Sequence, residues 1–194
     1  MLYFRFPFSD SIFTVNENSD KKTVSFVSFD ETESIDFYGN IEEFFFNENI
    51  LSNQISTELL EFKEENQFEY EAKLGKVIEF IKENQLSKLV ISRRKVFDFE
   101  EKKINLSQTF LNLSKSYPNA FVYFFIKDGK CWIGAFSELL GKFDKKTSEF
   151  ETMSLAGTLP VNETWTAKEI EEQKPVTDFI KNILKNYSSE VEQS

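Results

Sequence analysis

The stretch Ala120-Phe-Val-Tyr-Phe-Phe-Ile-Lys-Asp-Gly-Lys-Cys-Trp-Ile-Gly-Ala-Phe136 holds two β-rich runs, Ala120–Ile126 and Lys130–Phe136, on either side of Asp128-Gly129. An Asp-Gly pair accepts the positive φ angles of a tight two-residue hairpin, so the runs read as antiparallel neighbours. Further strands at about Leu139–Phe143 and Glu149–Leu155 carry the pattern on as a β-meander.

Upstream of the meander, Leu106, Phe110 and Leu113 mark a short helix that Tyr117-Pro118-Asn119 stops, because the residue before proline is pushed out of the α region. Earlier still, Lys88-Leu-Val-Ile-Ser-Arg93 alternates as a strand, with Lys88, Val90 and Ser92 on one face and Leu89 and Ile91 on the other. Before it, Tyr70, Leu74, Val77, Ile78 and Ile81 lie on one stripe of an amphipathic helix ending near Asn84. Downstream, Thr166 and Glu169 form a capping-box signature for a closing helix whose stripe is Val176, Ile180, Ile183 and Leu184. Leu2–Phe8 and Thr23–Phe29 read as edge strands, and residues 40–65, apart from Phe44-Phe45-Phe46, as an acidic, variable surface excursion. Strands that cluster without alternating with helices indicate an α+β fold, an antiparallel β-sheet meander with packed helices. Residues 1–65 are read as the N-terminal strands and acidic segment of the same domain that continues over 66–194.

Composition narrows the chemistry. A single cysteine, Cys131, leaves no internal disulfide, and the absence of histidine removes Ser-His-Asp triads, Cys-His dyads and histidine-bearing zinc sites. A net charge of −10 with scattered Lys and Arg argues against nucleic acid as a partner. No apolar run approaches the roughly 18 residues needed to span a bilayer, and the N-terminus lacks the pattern of an export signal, so no membrane partner and a cytoplasmic location are expected. The 23 phenylalanines are read as core.

Several segments in order resemble the chorismate-utilising enzymes, and among them the isochorismate synthases of the menaquinone and siderophore pathways. Lys88-Leu-Val-Ile-Ser-Arg93 resembles the family's Lys-Val-Val-Leu-Ser/Ala-Arg strand, and Tyr117-Pro-Asn-Ala-Phe121 the entry to its meander. Trp132-Ile-Gly-Ala-Phe-Ser-Glu-Leu-Leu140 is similar to Gly-Ala-Ser-Pro-Glu-Leu-Leu, with Phe136 and Ser137 departing from it. Leu155-Ala-Gly-Thr158 matches a family turn, and Lys168-Glu-Ile-Glu-Glu172 with Val176 resembles the helix that supplies metal ligands. The resemblance covers roughly residues 70–190. It implies the first part of a chorismate-binding domain like that of anthranilate synthase component I. Lys88 and Ser154-Leu155-Ala156 favour the isochorismate type over anthranilate synthases, which carry Pro-Ile-Ala-Gly-Thr. Salicylate synthase and anthranilate synthase component I stay as alternatives.

The resemblance implies roles. Chorismate becomes isochorismate when water adds at one ring carbon and hydroxide leaves from another, which requires a base and an acid. Lys88 is implied as the base, a role that asks for burial or a cationic neighbour, whereas a lysine snorkelling from a strand edge is the bland alternative. Glu138 is implied as the acid, which asks for partial burial; its bland alternative is an exposed strand glutamate. Leu155, Ala156, Gly157 and Thr158 are implied as a substrate-binding turn, with Gly157 allowing close backbone approach; an ordinary β-turn is the alternative. Glu172 is implied as a Mg²⁺ ligand with Glu169 in support, against the plainer reading of an acidic helix start. Pro175 inside that helix is expected to kink it, at about 3 kcal/mol. The family's remaining glutamates and cationic contacts have no counterpart after Glu190, so the chain is expected to be inactive alone and completed by a C-terminal chain. The rival class is a non-catalytic truncated remnant or interaction module whose core a separate chain completes.

Overall fold

The computed structural model describes residues 1–50, 64–93, 95–97 and 104–193. In chain order they form β1 (Leu2–Arg5), β2 (Ile12–Asn16), β3 (Lys22–Val27), β4 (Ser34–Tyr38), β5 (Asn40–Phe44), α1 (Gln67–Glu83), α2 (Leu106–Ser116), β6 (Phe121–Lys127), β7 (Lys130–Phe136), β8 (Lys142–Asp144), β9 (Glu149–Glu151) and α3 (Ala167–Leu184). Every described strand pairing is antiparallel, so the fold is α+β. The chain divides into two units, one holding β1–β7 and α2, the other α1, β8, β9 and α3. No described helix is long and apolar enough to cross a membrane.

In the first unit a five-stranded sheet runs in the order β5-β2-β1-β6-β7. The hairpin between β6 and β7 turns at Asp128 (φ 52°) and Gly129 (φ 71°), the positive pair a tight turn requires. Period-two alternation then sorts the core. Tyr3, Val122 and Phe124 pack with Phe110 of α2 on one face, while Leu2, Phe4 and Phe125 pack with Phe37 of β4 on the other. Leu2–Arg5 is therefore a central strand and not an edge, buried along its whole length and paired on both sides. A run buried on both faces loses its alternation, which is why position in the sheet is hard to read locally. Thr23–Phe29 corresponds to β3, half of a two-stranded sheet with β4. Residues 40–44, expected in a surface excursion, form β5 on the sheet edge against β2, and residues 51–63 of that excursion lie outside the described residues.

In the second unit α1 is capped by Asn66, whose side chain accepts from the Glu69 backbone N–H while Glu69 accepts from the Asn66 N–H. Its apolar stripe is present but buries no residue; Leu74 and Ile78 are exposed. Residues 88–93 form no strand, contrary to their alternation: a strand is held by a ladder with a neighbour, and no described segment pairs with this one. Arg94 lies outside the described residues. The meander also divides, since β8 and β9 form a separate hairpin shorter than expected, ending at Glu151. Helix α3 begins at Ala167 under a complete capping box and runs without interruption through Pro175. Among the described residues of this unit only Gly157 and Glu169 are buried.

Candidate active site

The residues implicated by sequence all fall in the second unit, and α3 organises most of them. The Thr166 cap sets the helix register, which places Glu169 in the first turn and Glu172 three residues on. Glu169 turns back on its own cap: its Oε2 accepts from the Thr166 N–H at 2.9 Å and from the Thr166 hydroxyl. Those bonds, the hydroxyl first, hold the Glu169 carboxyl below the ordinary carboxylate range. Glu172 looks elsewhere, and its Oε1 lies 3.6 Å from Lys88 Nζ. The structure thus brings together the residues implied as base and as metal ligand. The neighbour it gives Lys88 is an anion, not the cationic neighbour expected for a base, and the Lys88 side chain is partly buried, 28 % exposed. The Arg93 guanidinium lies 5.5 Å over the Tyr70 ring and ties this segment to α1.

Residues 155–158, expected as a turn against the substrate, carry no hydrogen-bonded turn. The Ala156 and Gly157 N–H groups instead both donate to Gln173 Oε1, at 2.9 and 3.2 Å. A Cβ on Gly157 would stand 2.7 Å from the Glu169 carbonyl oxygen, closer than real Cβ contacts allow. The close approach at this glycine is made by α3 itself, while Leu155 and Thr158 stay exposed. Glu138 sits just past β7 in irregular chain and is exposed, without the partial burial asked of an acid. No described hydrogen bond or ion pair links it to Lys88 or to α3. Gln173 escaped the sequence reading; the available signal was its spacing, four residues from both Glu169 and Thr177.

The family model for chorismate binding enzymes matches residues 11–194. The chain belongs to the chorismate-binding enzyme family. No curated protein and no solved structure matches it. Membership makes chorismate the small-molecule ligand that the site has to accommodate, and an enzyme acting on chorismate the broad class. Among the described residues no group of three or more acidic or cysteine side chains is arranged to hold a metal ion. Mg²⁺, however, is commonly held by one or two carboxylates with waters and substrate oxygens. A chorismate-binding enzyme with Glu172 half-exposed on a helix meets that weaker requirement, since the substrate brings carboxylates of its own.

Proposed function

We propose that this member of the chorismate-binding enzyme family converts chorismate to isochorismate in the cytoplasm, for menaquinone or siderophore synthesis. Lys88 is the base that takes a proton from water as it adds to the ring. Glu138 is the acid that gives a proton to the departing hydroxide, so that water is consumed at one carbon and released from another. Residues 155–158 back the substrate. Glu172 would hold Mg²⁺ with Glu169 in support, and the ion would supply positive charge for the carboxylates of the bound substrate. The observation that carries the reading is the Lys88–Glu172 pair, two implied site residues 84 positions apart in sequence (172 − 88) yet in contact in the fold.

The test is to incubate the gene product carrying this chain with chorismate and Mg²⁺ and identify the product by chromatography. Isochorismate supports the proposal; salicylate or anthranilate moves the protein elsewhere in the family. A second reading, an interaction module completed by another chain, draws on the exposed apolar side chains of the second unit, including Leu74, Ile78, Ile170 and Phe179. Co-purification of a stoichiometric partner with no consumption of chorismate would favour it.

A further inference from the structure

We propose that Gln173 is the positioning residue that fixes the 155–158 segment on α3, and with it the place of the substrate relative to Glu172. This rests on the reading of residues 155–158 as the substrate segment. The side-chain amide of Gln173 is used on both of its ends. Its Oε1 accepts from the Ala156 and Gly157 N–H groups at 2.9 and 3.2 Å. Its Nε2 donates to the Ser154 carbonyl at 2.8 Å, to Ser154 Oγ at 2.9 Å and to Thr177 Oγ1 at 3.1 Å. Ser154 Oγ and Thr177 Oγ1 close the ring at 2.8 Å.

Two backbone donors can be met only by an acceptor and a backbone carbonyl only by a donor, so the network admits one orientation of the amide. No other side chain of this length offers a neutral acceptor and donor side by side. The burial pattern agrees: Gly157 and Glu169, the buried ones among the described residues of the unit, lie in close approach to each other. Gln173 also follows Glu172 directly in α3, so one rigid helix carries both the metal-side carboxylate and the hold on the substrate segment. A backbone held this way cannot drift by the ångström that costs about a hundredfold in rate. Gln173 itself touches neither substrate nor metal and acts through Ala156 and Gly157.

The experiment compares the wild-type gene product with Gln173→Met, similar in size but without the amide. Hydrogen exchange at the Ala156 and Gly157 amides reads the clamp directly, and kinetics read its consequence. For Gln173→Met the expected result is at least tenfold faster exchange at those two amides and kcat/KM for chorismate reduced about 10- to 100-fold. The Mg²⁺ concentration giving half-maximal rate changes less than twofold, because Glu172 keeps its place. Unchanged exchange at both amides overturns the proposal, as does a loss that moves chorismate and Mg²⁺ together, which is the mark of an unravelled α3. If the wild type leaves chorismate untouched, the functional reading fails, while the exchange data still decide whether Gln173 holds the segment.

Discussion

Lys88 Nζ and Glu172 Oε1 stand 3.6 Å apart, with their side chains 28 % and 42 % exposed. Partly exposed pairs of this kind are worth about 0.2–1 kcal/mol. An ammonium in that position competes with any cation for the same carboxylate. Lys88→Ala is therefore expected to tighten Mg²⁺ binding about two- to fivefold while lowering turnover about 10²- to 10⁴-fold, the usual contribution of a general base. Calorimetric titration with Mg²⁺ beside a chorismate assay reads both. Weaker Mg²⁺ binding in the variant would contradict the competition.

Gly157→Ala places a methyl group 2.7 Å from the Glu169 carbonyl oxygen, where helix backbone leaves no room to yield cheaply. The variant is expected to lose about 1–3 kcal/mol of stability and to weaken chorismate binding. Thermal unfolding with and without chorismate checks this; an unchanged melting temperature would show that the segment does not rest on α3.

The Glu169 carboxyl is held low by the Thr166 hydroxyl and backbone N–H. A depressed folded-state value contributes stability that is present above the unfolded glutamate value of about 4.3 and is lost as pH falls through the lower folded value. The start of α3 should consequently fray only in acid below about pH 4. A carbon-detected NMR titration of Glu169 should give a midpoint below that of an ordinary glutamate, rising in Thr166→Val. Identical midpoints in the two proteins would remove the cap from the explanation.

Arg5, 5 % exposed, donates to the carbonyl oxygens of Phe6, Ser9, Tyr117, Pro118 and Ala120 and so joins the end of β1 to the turn before β6. Arg5→Leu removes these charge-assisted bonds, each worth about 1.5–3 kcal/mol, while the Phe6, Pro118 and Tyr117 carbonyls keep backbone N–H donors from Ser9, Phe8 and Ala120; it should destabilise the first unit by about 3 kcal/mol or more. Urea unfolding measures it, and a loss under about 1 kcal/mol would mean that water replaces the guanidinium.

What could be read in the sequence was local chemistry. The Thr166–Glu169 capping box, the proline stop after Ser116 and the Asp128-Gly129 turn each depend on a few neighbouring residues, and each stands in the fold as read. What could not be read was partnership. Tyr3 pairs with Phe124, a neighbour that no local pattern announces, so β1 looked like an edge. The alternation of Lys88–Arg93 described a strand for which no described partner exists. Pro175 was expected to kink the closing helix, and α3 continues on both sides of it. In the candidate site, the resemblance pointed to Lys88 and Glu172 one by one, whereas their contact and the Gln173 network belong to side chains that meet only after folding.

The most direct measurement is isotopic. The proposed reaction takes its new hydroxyl from water and gives up the old one as hydroxide, so chorismate turned over by the gene product in oxygen-18 water with Mg²⁺ should yield a product carrying one oxygen-18 atom in its ring hydroxyl. Mass spectrometry of the separated product reads this, and Lys88→Ala should abolish it at equal protein concentration. An unlabelled product, or a labelled one formed equally fast by Lys88→Ala, would contradict the proposed chemistry.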